Sequence, residues 1–193
     1  MLRSCTRDRQ RNYREVRRYA TPLEISSYFH ENQELLYWMA LVITGRRELA
    51  ESSIEIACKD SAQRRSVFLS WVGQWAQYAA VRSAIARIKK EIANAAAQYQ
   101  GRRSEHSEHS GLSKAEIRVL RMIEPNVVST ALDPLARSVL VLRTLQDTTV
   151  NDCVVALDVP RTAVVAAYDR ALSWLHSRQS SGPDPAHSLE QIT

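Results

Sequence analysis

At 193 residues, with 45% apolar and 24% charged content, the chain has the make-up of a globular protein with room for one large domain or two small ones. Few glycines and prolines (5 and 6) and no long alternating run favour helix over sheet. The net charge is +5, and residues 1–20 carry all of that excess, with seven arginines against Asp8 and Glu15.

Residues 1–22 therefore read as a basic N-terminal arm. Such an arm either holds phosphates by charge or is a solvated tail. A first helical block spans residues 23–97. It opens with Ile25, Phe29, Leu35, Leu36, Trp38, Met39, Leu41, Val42 and Ile43 at steps of three and four, which predicts a helix with a buried face. Gly45 is placed to end it. A second helix follows with Leu49, Ile54 and Cys58 on one side and Glu48, Glu51 and Glu55 largely on the other. A third, long helix carries Phe68, Trp71, Val72, Trp75, Ala79, Arg82, Ile85 and Ile88. Its later turns are basic, through Arg82, Arg87, Lys89 and Lys90, and a basic helix face is suited to phosphate contact. Trp71 and Trp75 lie four apart. They either pack between helices, the favoured reading, or stack on an unpaired base.

Residues 98–112 have linker composition, with Gly101, Gly111 and a Ser-Glu-His doublet. Glu105-His106 and Glu108-His109 have metal-compatible spacing, but a Ser-rich stretch without cysteines argues against a metal site. The second block spans residues 113–178. Ser113 with Glu116 forms a capping-box pair at a helix start. Pro134 opens the next helix, with Val139, Leu142 and Leu145 as its core face, and Asp147 breaks it. Thr149 with Asp152 is a second capping box, opening Val150–Leu157. Asp158, Val159 and Pro160 form a turn, with Pro160 expected at the first helical position. The last helix buries Val164, Tyr168, Ala171 and Leu175. Residues 179–193, with Gly182, Pro183 and Pro185, read as a mobile tail.

Cys5, Cys58 and Cys153 are scattered and odd in number, as expected in a reducing compartment. The basic N-terminus is followed by no apolar run of the signal-peptide kind, and no stretch approaches the ~20 apolar residues of a membrane span. A cytoplasmic protein without a membrane partner is expected. No phosphate-cradling glycine loop, HExxH or nucleophile–base pair points to an enzyme or to a cofactor.

Taken together, Leu132 to Leu175 resembles the C-terminal helix-turn-helix domain of bacterial sigma factors of the extracytoplasmic-function type. The resemblance runs without a gap through Leu132, Pro134, Arg137, Val139 to Arg143, Leu145, Asp147, Cys153-Val154, Leu157 to Pro160, Arg170-Ala171 and Leu175. The first block resembles the sigma domain that binds core RNA polymerase and melts the promoter. Leu36, Tyr37, Ala40, Thr44, Gly45, Ala50 and Glu51 carry one motif, and Phe68, Trp71, Trp75 and Ala76 the next. The two matches cover about two thirds of the chain in family order.

The resemblance implies an all-α fold of two small helical domains on a flexible linker, the second a helix-turn-helix. It implies a transcription initiation factor that binds core RNA polymerase and double-stranded promoter DNA, with an anti-sigma factor as a further candidate partner. Arg161 and Thr162, in the first turn of the last helix, become base-reading candidates. Arg170, and Thr149 and Asn151 at the start of the preceding helix, join them as DNA contacts, as do Arg82, Arg87, Lys89, Lys90, Trp71 and Trp75. Glu48, Glu51 and Glu55 become polymerase contacts. Where the family carries basic and hydroxyl residues this chain has Val165, Ala166 and Ala167, with Asp169 on the same outward side. The three apolar side chains cannot bond bases or phosphates, and the Asp169 carboxylate would repel the DNA backbone. A second expectation follows: a diverged sigma-like regulator that binds protein and has lost sequence-specific DNA reading.

Overall fold

The computed structural model describes residues 18–63, 67–99 and 112–180. Among these the architecture is all-α: α1 (Pro22–Glu31), α2 (Gln33–Thr44), α3 (Arg47–Gln63), α4 (Val72–Arg87), α5 (Lys89–Gln98), α6 (Lys114–Met122), α7 (Pro125–Ala131), α8 (Pro134–Leu145), α9 (Val150–Leu157) and α10 (Arg161–Ser180). A 3₁₀ turn, Leu69–Trp71, leads into α4.

Local chemistry sets most of the boundaries. The hydroxyls of Thr21, Ser113 and Thr149 each accept the backbone N–H three residues on, and Glu24, Glu116 and Asp152 return the bond to the cap. Gly45 ends α2 at φ +65, and Asp158 ends α9 at φ +57. Asp158 takes left-handed geometry in the expected turn, a region that a short polar side chain tolerates better than most. Pro160 lies one position earlier than expected. Its carbonyl accepts the N–H groups of Ala163 and Val164, so it caps α10 from outside.

Three helices depart from the sequence expectations. The first predicted helix is two, broken at Asn32, whose side chain bonds the Tyr28 carbonyl at 3.0 Å. The long third helix also breaks at Ile88 (φ −116, ψ 19). Neither break carries Pro or Gly. Ile88 is fully buried, so packing sets that bend. Helix α7 adds an unanticipated turn on Pro125 at its first position. The arm is also shorter than expected, because residues 18–21 belong to the fold: Ala20 donates to the Val67 carbonyl and Leu69 to that of Arg18. Residues 1–17 lie outside the described residues, as do 100–111 of the expected linker with its Glu-His pairs, and 181–193.

The largest correction concerns the two blocks. They were expected to be small domains on a linker, yet they share one continuous core. Helix α8 buries all of Leu135 to Leu142, and α2 buries all of Met39 to Thr44. A helix apolar on every side must be covered on every side. Accordingly α2 packs on α7 and α8 as well as on α3 and α4, and α5 packs on α8.

Polar contacts stitch this seam. The Trp38 indole donates to the Ile123 carbonyl at 3.1 Å. The Tyr99 phenol donates to the Asp133 carboxylate at 2.5 Å. Lys89 pairs with Asp158 at 3.1 Å. The Arg137 guanidinium is buried and lies over the end of α2, so that a Cβ on Gly45 would come within 2.6 Å of its Nη1. It donates to the Ser129 carbonyl, while its Nε–H has no partner.

Candidate functional site

Two surfaces hold the residues that the sequence marks as candidate DNA contacts. The first is the corner where α9 meets α10. Arg143 fixes this corner: it donates to the Thr148 carbonyl at 2.7 Å and lies over the Tyr168 ring. The turn then delivers the start of α10 beside the start of α9. Asn151, Thr149, Arg161 and Thr162 are all exposed here, and Arg161 Nη1 donates to Asn151 Oδ1 at 2.6 Å. Thr149 is committed to its capping box, where its bonds hold the Asp152 carboxyl below the usual range.

Farther along α10 the expected contact face is corrected. Ala167 is fully buried, and Val165, Ala166 and Asp169 are half-buried. The reason is that α10 packs against α5 as well as α8 and α9, which widens its buried stripe. Val164, Tyr168, Ala171 and Leu175 are buried as the spacing predicts. Arg170 turns to Asp133, with Nε 3.7 Å from Oδ2. Asp133 also caps α8 through the N–H groups of Leu135 and Ala136, and accepts the Tyr99 phenol. Burial, reinforced by that carboxylate, pushes the Tyr99 phenol well above its ordinary range.

The second surface is the outer face of α4. Trp71 is 63% exposed, so it does not pack in the core as favoured from its spacing. Trp75 does pack partly, and its indole donates to Ser61 Oγ at 3.1 Å. Residues 71, 75, 78 and 82 are separated by four, three and four, so they fall within about 60° of one helix face and span about 16 Å. Tyr78 contributes a further exposed ring, 5.9 Å from that of Trp75. Trp75 and Tyr78 wall an open cleft of about 300 Å³ between α3 and α4, with Arg82 and Arg87 on one side and Asp60 on the other. Among the described residues neither arginine has an ion-pair partner. Lys90 is exposed nearby, whereas Lys89 is committed to Asp158. Unpaired arginines beside exposed aromatic rings can hold phosphates and stack bases.

Glu48, Glu51 and Glu55 lie exposed on one face of α3, at spacings of three and four. Together they make an acidic strip suited to a basic protein partner.

Sequence reasoning passed over Tyr78, Tyr99 and Asp133. Tyr78 was recoverable from the helical spacing that picked out Trp71 and Trp75. Tyr99 and Asp133 meet only through tertiary packing. Among the described residues no group of three or more acidic, histidine or cysteine side chains is arranged to hold a metal, and no helix is long and apolar enough to cross a membrane. No known protein family, curated protein or solved structure matches the chain.

Proposed function

We propose that the chain is a sigma-like transcription initiation factor, binding core RNA polymerase and promoter DNA in the cytoplasm. In this reading α8 to α10 form a helix-turn-helix, with α10 entering the major groove by its N-terminal turn. The observation that carries the reading is the gathering of Thr149, Asn151, Arg161 and Thr162 at that one exposed corner. The acidic strip of α3 is the polymerase contact, and the basic, aromatic face of α4 meets the promoter. No covalent chemistry is involved: phosphate contacts supply affinity and base contacts choose the site.

Run-off transcription with purified core polymerase and a promoter library tests this. Transcripts from a defined promoter are expected. Polymerase binding without transcripts would overturn the reading. Arg161→Ala should relax sequence preference; unchanged affinity and preference would mean that α10 does not read bases.

A second reading, a sigma-like regulator that binds protein and does not read DNA sequence, draws on a different observation. The middle of α10 is packed against its own chain, and Arg170 is directed to Asp133. Polymerase binding without transcripts is the outcome that favours it.

A further inference from the structure

A second groove, of about 330 Å³, opens where α4 meets α8 and α9. It shares Tyr78, Arg82 and Ala86 with the cleft between α3 and α4, and its other side chains are its own. Residues 78, 81, 82, 85 and 89 recur at steps of three and four. One helix face therefore supplies a wall that continues past the bend at Ile88. Leu142 of α8 and Val155 and Ala156 of α9 supply the opposite wall.

The lining divides into an apolar floor and a basic edge. Val81, Ile85 and Leu142 are almost fully buried and form the floor. Val155 stands 82% exposed on the rim, so a ligand that covers it removes a branched aliphatic side chain from water. The charged lining is all of one sign: Arg82 and Lys89 are exposed, and no carboxylate lines the groove among the described residues. Arg82 has no ion-pair partner among those residues. Lys89 does pair with Asp158, at 3.1 Å, but both side chains are largely exposed, and so open a pair yields to another anion at little cost.

The walls are tied together by two contacts. Gln146, at the end of α8, donates to Gln77 beside Tyr78 at 3.5 Å, and the Lys89–Asp158 pair joins the start of α5 to the end of α9. A site already fixed in place loses little conformational freedom when it binds.

We infer that this groove binds a small amphipathic organic acid, its apolar body on Val81, Ile85 and Leu142 and its anionic head between Arg82 and Lys89. Small-molecule sites combine an apolar lining with a few placed charges, and the volume falls at the small end of their range. A guanidinium takes a carboxylate through two parallel hydrogen bonds. A neutral apolar ligand makes no use of the two cations, and an amine is repelled by them. Recognition of the acid requires neither DNA nor polymerase, so the inference stands apart from the proposed function.

Octanoate, 1-octanol and octylamine, equal in chain length and different in head group, are titrated into the isotope-labelled full chain while its amide NMR shifts are followed. Octanoate should saturate, with shifts gathered on α4, α8 and α9, and bind roughly tenfold tighter than octanol, while octylamine stays unbound. Arg82→Ala should weaken octanoate roughly tenfold, and Lys89→Ala about threefold. Arg87→Ala alters only the cleft between α3 and α4 and should change nothing. Val155→Asp should weaken octanoate and Val155→Lys should not. All four positions are exposed, so the substitutions leave the fold in place. Octanol binding as tightly as octanoate overturns the inference, as does the lack of any saturable shift with octanoate. Weakening by Arg87→Ala and not by Lys89→Ala would put the acid in the other cleft and also overturn it. A dimer in sedimentation that Val155→Asp dissociates, with octanoate unbound, assigns the groove to a second copy of the chain and overturns it equally.

Discussion

The α9–α10 corner and the outer face of α4 both carry residues that the proposed function assigns to DNA, but they use their charges differently. At the corner and along α10, Arg161 bonds Asn151 and Arg170 is drawn to Asp133. On α4, Arg82 and Arg87 have no ion-pair partner among the described residues and stand beside exposed rings. Charge already engaged within the fold must be released before it can serve a ligand, so the α4 face is the better prepared of the two. The corner has shape in its favour, and α4 has available charge.

The shared core ties the two surfaces together, and breaking it gives the largest expected effect. Leu140→Ala removes a fully buried side chain from the middle of α8 and should cost about 2–5 kcal/mol in urea unfolding. Tryptophan fluorescence reports mainly on the first block, through Trp38, Trp71 and Trp75, and circular dichroism on both. The two signals should lose structure in one step. Two separate transitions would mean that the corner and the α4 face belong to independent bodies.

Gly45→Ala comes next. It forces a Cβ onto a left-handed residue and toward Arg137, so a loss of about 2 kcal/mol is expected. An unaltered melting temperature would show that Arg137 does not anchor the seam.

Tyr99→Phe should cost about 1 kcal/mol by leaving Asp133 without its phenol partner. The pH dependence has a definite sign. The folded-state phenol titrates above its unfolded value of about 10, so its contribution is full below that pH. It is lost as pH rises through the raised folded value. Urea midpoints measured upward from pH 8 should fall less steeply for Tyr99→Phe than for wild type. Parallel curves would remove Tyr99 from the seam.

The smallest effect sharpens the comparison most directly. Arg82→Ala should lower the salt dependence of DNA binding by about one phosphate contact and leave stability nearly unchanged. Arg170→Ala should do the reverse, with less than ~1 kcal/mol of stability lost and the salt slope kept. If both variants change the slope alike, the distinction between engaged and available charge fails.

What could be read in the sequence follows the range of the forces involved. The Ser113–Glu116 and Thr149–Asp152 capping boxes, the end of α2 at Gly45 and the full span of α9 were all visible, because each is decided within a few residues. The Thr21–Glu24 box has the same signature and was equally available. The breaks at Asn32 and Ile88 were not visible, since neither is marked by Pro or Gly and Ile88 bends into the core. The sharing of one core was present only as a hint: α2 and α8 are too apolar all round for helices that each cover one small domain. At the sites, the exposed acidic strip of α3 was readable from spacing. The burial of Ala167 was not, because it is set by how α10 packs on the rest of the fold and not by its own spacing.

Asp133 carries a consequence for how this protein can change over time. One carboxylate there caps the start of α8, receives a phenol from the end of α5 and faces Arg170. A replacement at position 133 is therefore felt at once by three neighbourhoods far apart in the chain. Asn would preserve the cap and lose the charge, and Ser would preserve the cap and fall short of Tyr99. Related chains should accordingly change positions 99, 133 and 170 as a set, or leave all three alone.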